Sequence, residues 1–594
     1  MEILSTDTSN FNILTPDLGT IPTTEDSVYD NELLREYVIT LKNYDDLDTF
    51  YDDMETPGGD LYIPDRAVDV ADKRPISRNT HYFLTQFEAE QIKQDPRVQA
   101  VDLTYAEKGI EIKPASQFSN NWSKVPQSSA AKNWGVYRSY IGSTIADWGM
   151  NGTFEVSDTI NLTNIGRNVD VVICDGHIKP GHPEYAVNED GSGGSRVIQY
   201  NWFQHNPTVR GVSYPASTYQ YTFPTAGNSY HSHGMHVAGI AAGNTQGWAR
   251  GANIYNIYPY TVGNDNTFNN WTYYVIDYIR AFHNAKPVNP ATGIKNPTIV
   301  NMSWSLTSSY DLTTIKKINF QGVSYSKPTG AASTYWNQFK GFLGLVATDS
   351  NNSNVVLSLT RDNALDADVS DALNSGIIIV GAAGNYYMYN DVSTGTNYNN
   401  GLYTANPGYL DILNFYHRGG SPAAAPGVIN VSSVDSTVEE RKADYSNAGP
   451  RTDIFAPGTA IISSTLGPTS IVDSRNSSYY LQSMNGTSMA SPQVTGVLAC
   501  ALEAYPRMKP TEALAYLTEY ATKNQLSNPA NPTDPVSTLP LPFINYNGLL
   551  NSPNYYLKYP KEKLDYGLTY PKQNYGVRPT NNMTYPRFKR RLKG

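Results

Sequence analysis

Apolar residues fall into two patterns along this chain. Near the N-terminus, short runs at residues 37–41 (YVITL), 81–84 (HYFL) and 98–103 (VQAVDL) predict strands, and a helical stretch at 88–94 stops at Asp95-Pro96. Strand, helix and strand with short connections predict a small α+β module over residues 35–113. Farther on, continuous runs at 169–174 (VDVVIC), 298–302 (TIVNM) and 376–380 (GIIIV) predict strands buried on both faces, the pattern of parallel sheets. Helical stretches at 237–242 and 488–505 lie between and after them. Residues 134–525 are therefore expected to form an α/β domain, a mainly parallel central sheet with helices on both faces. Residues 1–34 read as a flexible leader and 114–133 as a linker, and the Tyr- and Asn-rich stretches 186–230 and 386–420 as surface inserts. From 526 onward, five prolines between 529 and 542 and three later Tyr-Pro pairs predict a tail.

Composition narrows the class. A chain of 594 residues exceeds a single core, and 40% hydrophobic with only 16% charged residues excludes a charged disordered protein or a coiled coil. Two cysteines exclude a disulfide framework and a multi-thiolate zinc domain. The N-terminus shows neither a basic start nor an apolar run, and no stretch of about 18 apolar residues occurs. Membrane association is not expected, and the chain is expected in the cytoplasm or in a virion. Residues 1–113 hold 24 acidic and 10 basic residues, and residues 555–594 hold 2 acidic and 10 basic, so the middle is close to neutral. An acidic module beside a near-neutral body predicts that any hold between them comes from shape and strand pairing. The basic tail reads as a solvated terminus, with nucleic acid not expected as a partner.

Open α/β sheets gather their chemistry at the carboxyl ends of the strands. Asp175 directly follows the run ending at Cys174. His233 lies in His231-Ser-His233-Gly-Met-His236-Val-Ala-Gly, where polar sequence gives way to small residues. Ser488 lies in Asn485-Gly-Thr-Ser488-Met-Ala-Ser-Pro492 at the start of a helix, with Pro492 expected in its first turn. A hydroxyl nucleophile, a base to take its proton and a carboxylate to orient that base are the parts of covalent acyl transfer. A helix start also favours negative charge developing beside it.

These motifs resemble those of subtilisin-like serine proteases, the subtilases, in which aspartate, histidine and serine occur in this order. Val-Val-Ile-Cys-Asp175-Gly-His-Ile-Lys-Pro-Gly-His182-Pro-Glu184, His233-Gly-Met-His-Val-Ala-Gly239 and Gly486-Thr-Ser-Met-Ala-Ser-Pro492 follow the family's three motifs, and Gly381-Ala-Ala-Gly-Asn385 its oxyanion segment. Tyr445-Ser-Asn-Ala-Gly-Pro450 and Asp453-Ile-Phe-Ala-Pro-Gly458 match the stretch before the serine. The resemblance implies a serine endopeptidase with Asp175, His233 and Ser488 as triad, Asn385 as oxyanion donor, and protein or peptide substrates. It also implies that Ser303, Trp304 and Ser305, with Ala382, Ala383 and Gly384, form two backbone walls pairing with an extended peptide. Small residues on the second wall then predict a preference for Leu, Met or aromatic residues before the cut. Residues 35–113 resemble the family's inhibitory prosegment, so a zymogen restrained by its own N-terminal module is expected. No cofactor is required, although a structural calcium ion is compatible with the family. The short Asn244-Thr-Gln-Gly247 connection lacks the longer loop that some members use for calcium.

The sequence departs from the family at Gly176-His177, at Met235, and at Trp304-Ser305, where Ser305 is expected to narrow the cleft and Trp304 to alter a pocket wall. A binuclear zinc hydrolase built on His231, His233 and His236 is the rival enzyme class, but it leaves Ser488 and Asn385 without a role. The non-enzyme alternative is an assembly protein, such as a phage virion component, that keeps the fold with weak or no activity.

Overall fold

The computed structural model describes residues 33–560 apart from 64–69, 106, 108–110, 115–132, 144–159, 161, 163, 212–222, 224–228, 261–270, 342, 346, 405–411, 437–438 and 529–552. The expected leader and most of the linker therefore lie outside the described residues. The N-terminal module runs β1 (Arg35–Leu41), α1 (Leu47–Glu55), β2 (Val70–Asp72), β3 (Asn79–Leu84), α2 (Gln86–Ile92) and β4 (Val98–Leu103), and is followed by β5 (Glu111–Pro114). Its sheet has the order β2-β3-β1-β4 and is antiparallel. Alternation along β1 sends Ile39 and Leu41 toward Phe50 and Met54 of α1, while Val38 packs against the body. Helix α2 starts two residues before its expected position because Thr85 and Glu88 form a reciprocal capping box.

The body begins with α3 (Trp134–Ile141), β6 (Asp170–Cys174), β7 (Val197–Ile198), α4 (Asn206–Val209), α5 (Ser229–Ala242), β8 (Asn253–Ile257), α6 (Trp271–Ala285), β9 (Thr298–Met302) and β10 (Trp304–Asp311). It continues with β11 (Ile315–Phe320), β12 (Val323–Ser326), β13 (Val355–Leu359), α7 (Asn363–Asn374), β14 (Ile378–Ala382), β15 (Gly401–Thr404), β16 (Ile412–Phe415) and β17 (Ile429–Val434). Then come β18 (Ile454–Pro457), β19 (Ile461–Thr465), β20 (Ile471–Val472), β21 (Tyr480–Met484), α8 (Thr487–Ala504), α9 (Pro510–Tyr520), β22 (Thr522–Lys523) and β23 (Tyr555–Tyr556). The central sheet has the order β22-β23-β18-β17-β14-β9-β6-β8-β7 and is parallel except for β22.

Strands β6, β9 and β14 are buried at every position, which is why they read as unbroken apolar runs. Val171 and Ile173 pack on the α5 and α8 side, and Val172 and Cys174 on the α6 and α7 side. The fold is the α/β architecture with helices on both faces of a mainly parallel sheet. From β6 the sheet extends one way through β8 to β7, and the other way, in chain order, through β9, β14, β17 and β18. The switch point thus falls between β6 and β9, and it leaves a crevice at their carboxyl ends.

Two expectations are corrected. Residues 386–420 do more than decorate the surface. Strands β15 and β16 join β11 and β12 in a second four-stranded sheet, whose core buries Ile318, Trp336, Leu359, Tyr386, Leu402 and Tyr416. Residues 553–560, assigned to the tail by composition, return to the body: β23 pairs with β18, and Tyr559 stacks on Trp248 at 5.3 Å. Proline content upstream masked this return, because Tyr and Asn around it suit a strand as well as a loop.

The N-terminal sheet rests on α6 and α7, and here too the charge expectation fails. Arg74, fully buried, donates to Asp277 at 2.5 Å and to Asp368 at 2.7 Å, while Ser77 Oγ donates to Asp368 Oδ1 at 2.5 Å. Arg78 pairs with Asp371 at 3.3 Å. The module's net charge is an average that hides this: Arg74 and Arg78 meet three carboxylates of the body. Removing one partner of a buried pair strands the others' charge, so Arg74→Ala is expected to cost about 3–5 kcal/mol in urea unfolding of the intact chain. Replacing Arg74, Asp277 and Asp368 together by apolar residues is expected to cost far less.

Acid sensitivity follows from buried imidazoles. Burial pushes His236 in α5 down to about 3, and His417 likewise to about 3. Unfolded imidazoles take up protons below about pH 6.5, whereas these native ones stay neutral until about pH 3, so stability is complete above 6.5 and falls as pH drops. A midpoint of urea unfolding that declines from pH 6.5 to 5 is expected; a flat or rising midpoint would contradict it.

Candidate active site

Asp175 sits at the end of β6, fully buried, where the backbone N–H of Gly176 donates to its Oδ1 at 2.6 Å. The turn is tied from below by Asn256 of β8. Its Nδ2 donates to the carbonyls of Ile173 (2.9 Å), Asp175 (3.3 Å) and Gly176 (3.1 Å). Helix α5 crosses directly over this turn. A Cβ placed on Gly234 would lie 2.0 Å from the Gly176 carbonyl oxygen, so only glycine allows the approach. Its neighbour His233 thereby reaches Asp175, with Nδ1 donating to Oδ1 at 2.8 Å in a site where both side chains are buried. The helix starts at Ser229, well before the expected 237, because the histidine-rich stretch is buried against the body rather than exposed as its polarity suggests.

Ser488 is the second residue of α8. Its hydroxyl donates to the carbonyl of Ser303 at 3.2 Å, between β9 and β10, and the Nε2 of His233 has no hydrogen-bond partner among the described residues. The structure therefore joins His233 to Asp175 and seats Ser488 beside Ser303, with the hydroxyl turned to that carbonyl rather than to the imidazole. Pro492 lies in the second turn of α8, not the first. It cannot donate to the carbonyl of Ser488 four residues back, and the Ser303 hydroxyl does so instead at 3.1 Å. Asn301 of β9 accepts from Ser491 (2.8 Å) and Thr495 (3.0 Å) and donates to Ser303 (2.8 Å), anchoring α8 to the strand.

Asn385 follows β14, buried, with Oδ1 accepting from the backbone N–H and the hydroxyl of Thr487 at 2.8 and 2.9 Å. With the oxygen so engaged, Nδ2 lies toward Gly486, next to Ser488. Thr487, Asn256 and Asn301 were not legible as positioning residues, because Asn and Thr occur throughout the chain and their partners are distant in sequence.

The two walls differ from the expectation that both pair with a peptide. On the first, β10 pairs antiparallel with β5 in the register Trp304↔Pro114, Ser305↔Lys113, Leu306↔Ile112 and Thr307↔Glu111. On the second, the N–H of Ala383 donates to Val431, its carbonyl accepts from Asn390, and the N–H of Gly384 donates to Thr487 Oγ1. That wall is already saturated within the body; Ala382 is the last residue of β14. Trp304 is buried, with its indole N–H donating to the Cys174 carbonyl at 2.9 Å, so it ties β10 to β6 as well as walling the pocket.

The remaining histidines do not converge on a metal. His236 donates to the Gln482 carbonyl at 2.9 Å, and His231 meets His177 at 3.2 Å between their Nδ1 atoms. Among the described residues no three of His, Cys, Asp and Glu are grouped to hold a metal ion. Glu184, the motif's acidic residue, does not fit a calcium ligand. Its oxygens accept from Thr245 (2.5 and 3.0 Å), from the N–H of Gln246 (3.0 Å) and from Arg475, whose guanidinium supplies the positive charge there. No helix among the described residues is long and apolar enough to cross a membrane.

Residues 166–534 match the family model described as the subtilase family. The subtilisin-like serine protease Pen c 2 of Penicillium citrinum is 30% identical over 212 residues, covering 36% of this chain and 35% of that protein. An extracellular serine proteinase of Thermus sp. is 33% identical over 175 residues, 30% of this chain and 33% of that one. These matches span about a third of the curated relatives' length. Fervidolysin from Fervidobacterium pennivorans, described as a keratinolytic enzyme related to subtilisin, aligns with a TM-score of 0.45 at 18% identity, over 82% of this chain and 57% of that chain. The family match takes in more than half of the chain and contains Asp175, His233, Asn385 and Ser488, and on that ground the chain belongs to the subtilase family.

Proposed function

We propose that the protein is a serine endopeptidase made as a zymogen. The observation that carries this reading is the buried 2.8 Å bond from His233 Nδ1 to Asp175 Oδ1, which fixes the tautomer that leaves Nε2 as a proton acceptor. Ser488, turning its hydroxyl from the Ser303 carbonyl to Nε2, attacks the peptide carbonyl. His233 takes its proton and then protonates the leaving amine, and Asp175 stabilises the imidazolium. The carbonyl oxygen, now anionic, is held by the Nδ2 of Asn385 and the backbone N–H of Ser488 at the start of α8. Water then enters, and the same base delivers it to the acyl ester. No step uses a cofactor.

The N-terminal module acts as the enzyme's own inhibitor. In support, β5 occupies the edge of β10 next to Ser303, the edge along which an extended peptide would run toward Ser488. Cleavage by Ser488 within residues 115–132 releases the module, and the mature chain begins shortly before Asn133. The relative named as extracellular favours protein substrates outside the cell over the cytoplasmic or virion setting expected from sequence.

Ser488→Ala is expected to abolish peptidase activity with little change in thermal unfolding; retained turnover would refute the assignment. Asn385→Ala is expected to lower kcat by about a hundred- to a thousandfold, the range known for the family's oxyanion asparagine. Terminal sequencing of the purified protein should find the new N-terminus in the wild type and the intact chain in Ser488→Ala. A fully active wild type that stays full length would rule out self-processing.

A further inference from the structure

The gap between the two walls beside Ser488 is largely filled by the protein itself. Strand β13 pairs antiparallel with the other edge of β10, with Leu359 opposite Thr307, and so delivers the Leu359 side chain to the back of the gap. A Cβ on Gly384, whose φ is +104°, would lie 2.6 Å from Leu359 Cδ1, so the leucine methyl rests directly on the Gly384 peptide. Across the gap the hydroxyls of Thr307 and Tyr386 approach to 3.4 Å. Leu359 and Tyr386 are both buried in the core of the second sheet, the one built from the inserts, and are not loose surface side chains. The cavity that remains between Ser305, Ala382, Gly384 and these residues is about 10 Å³, room for about one water molecule.

This gap is where a substrate side chain must go. Asn385 directly follows Gly384, so the residue whose carbonyl is held by Asn385 and attacked by Ser488 has its Cα at the mouth of the gap. We propose that Leu359, backed by Tyr386, closes this pocket, so that the enzyme cuts after Gly, Ala or Ser and discriminates against Leu, Met and aromatic residues. The proposal rests on the endopeptidase reading and replaces the preference expected from the small residues of the second wall, because those residues face Leu359 instead of open space. A larger side chain would have to displace Leu359 from a packed core, where added methylenes are poorly tolerated.

The test expresses the full chain, lets it process itself, digests denatured casein with the product and maps the cuts, then compares kcat/KM on two peptides that differ only in Ala or Phe before the cut. Cuts after Gly, Ala and Ser should predominate. Leu359→Ala should raise the Phe-to-Ala ratio by about tenfold or more, and Leu359→Val, which removes one methylene and keeps the core filled, should shift it the same way by less. Wild-type cuts falling mainly after Leu, Met or Phe would overturn the pocket proposal and leave the endopeptidase reading standing. An unchanged ratio in Leu359→Val with a native unfolding transition would overturn the role of Leu359. Absence of any Ser488-dependent cut would overturn both readings.

Discussion

The contact between Gly234 and Gly176 governs the rest of the site. It sets the distance between helix α5 and the end of β6, and with it the hydrogen bond from His233 to Asp175. A methyl group at 234 would fall 2.0 Å from the Gly176 oxygen, so any side chain there pushes the helix away from the carboxylate. Asn256 holds the other side of the same turn with three hydrogen bonds, and the indole of Trp304 ties the adjoining strand end to β10. The Asp175 carboxylate is therefore presented by backbone held from two sides. Such a turn can keep a buried charge oriented without a flexible side chain of its own.

Strand β10 serves two purposes through its two edges. One edge pairs with β5 and offers the backbone groups that an extended peptide would use; the other pairs with β13 and brings Leu359 into the gap beside Ser488. The core of the second sheet thus reaches the gap through Leu359 of β13, paired on β10, and through Tyr386. The N-terminal module is held by Arg74 between Asp277 and Asp368, a contact made with α6 and α7. Its hold on the body and its strand in the crevice are separate contacts, joined by the few residues between β4 and β5.

Much of this was legible from sequence, for physical reasons. Strands buried on both faces must be apolar throughout, so β6 and β9 were readable as runs, and Asp175 stood out as the polar residue that directly follows one. Glycine at 486 and the small residues of α8 marked a tightly packed helix start. What escaped were interactions between common residue types far apart in the chain. Nothing local marks Arg74 as buried rather than exposed, or Asn256 as holding a turn 80 residues earlier. Leu359 carries no mark in the sequence, and only pairing with β10 turns it toward Gly384. The return of β23 to the sheet was hidden for the same reason.

The central claim is that Ser488 is a nucleophile activated by His233 and oriented through Asp175. It is tested most directly by expressing the full chain, treating the processed protein with a fluorophosphonate and locating the adduct by peptide mass mapping. The prediction is one adduct, on Ser488, formed far more slowly in an Asp175→Asn variant because the imidazole then loses its orienting partner. Absence of an adduct in the processed wild type, an adduct on another residue, or unchanged labelling in Asp175→Asn would contradict it.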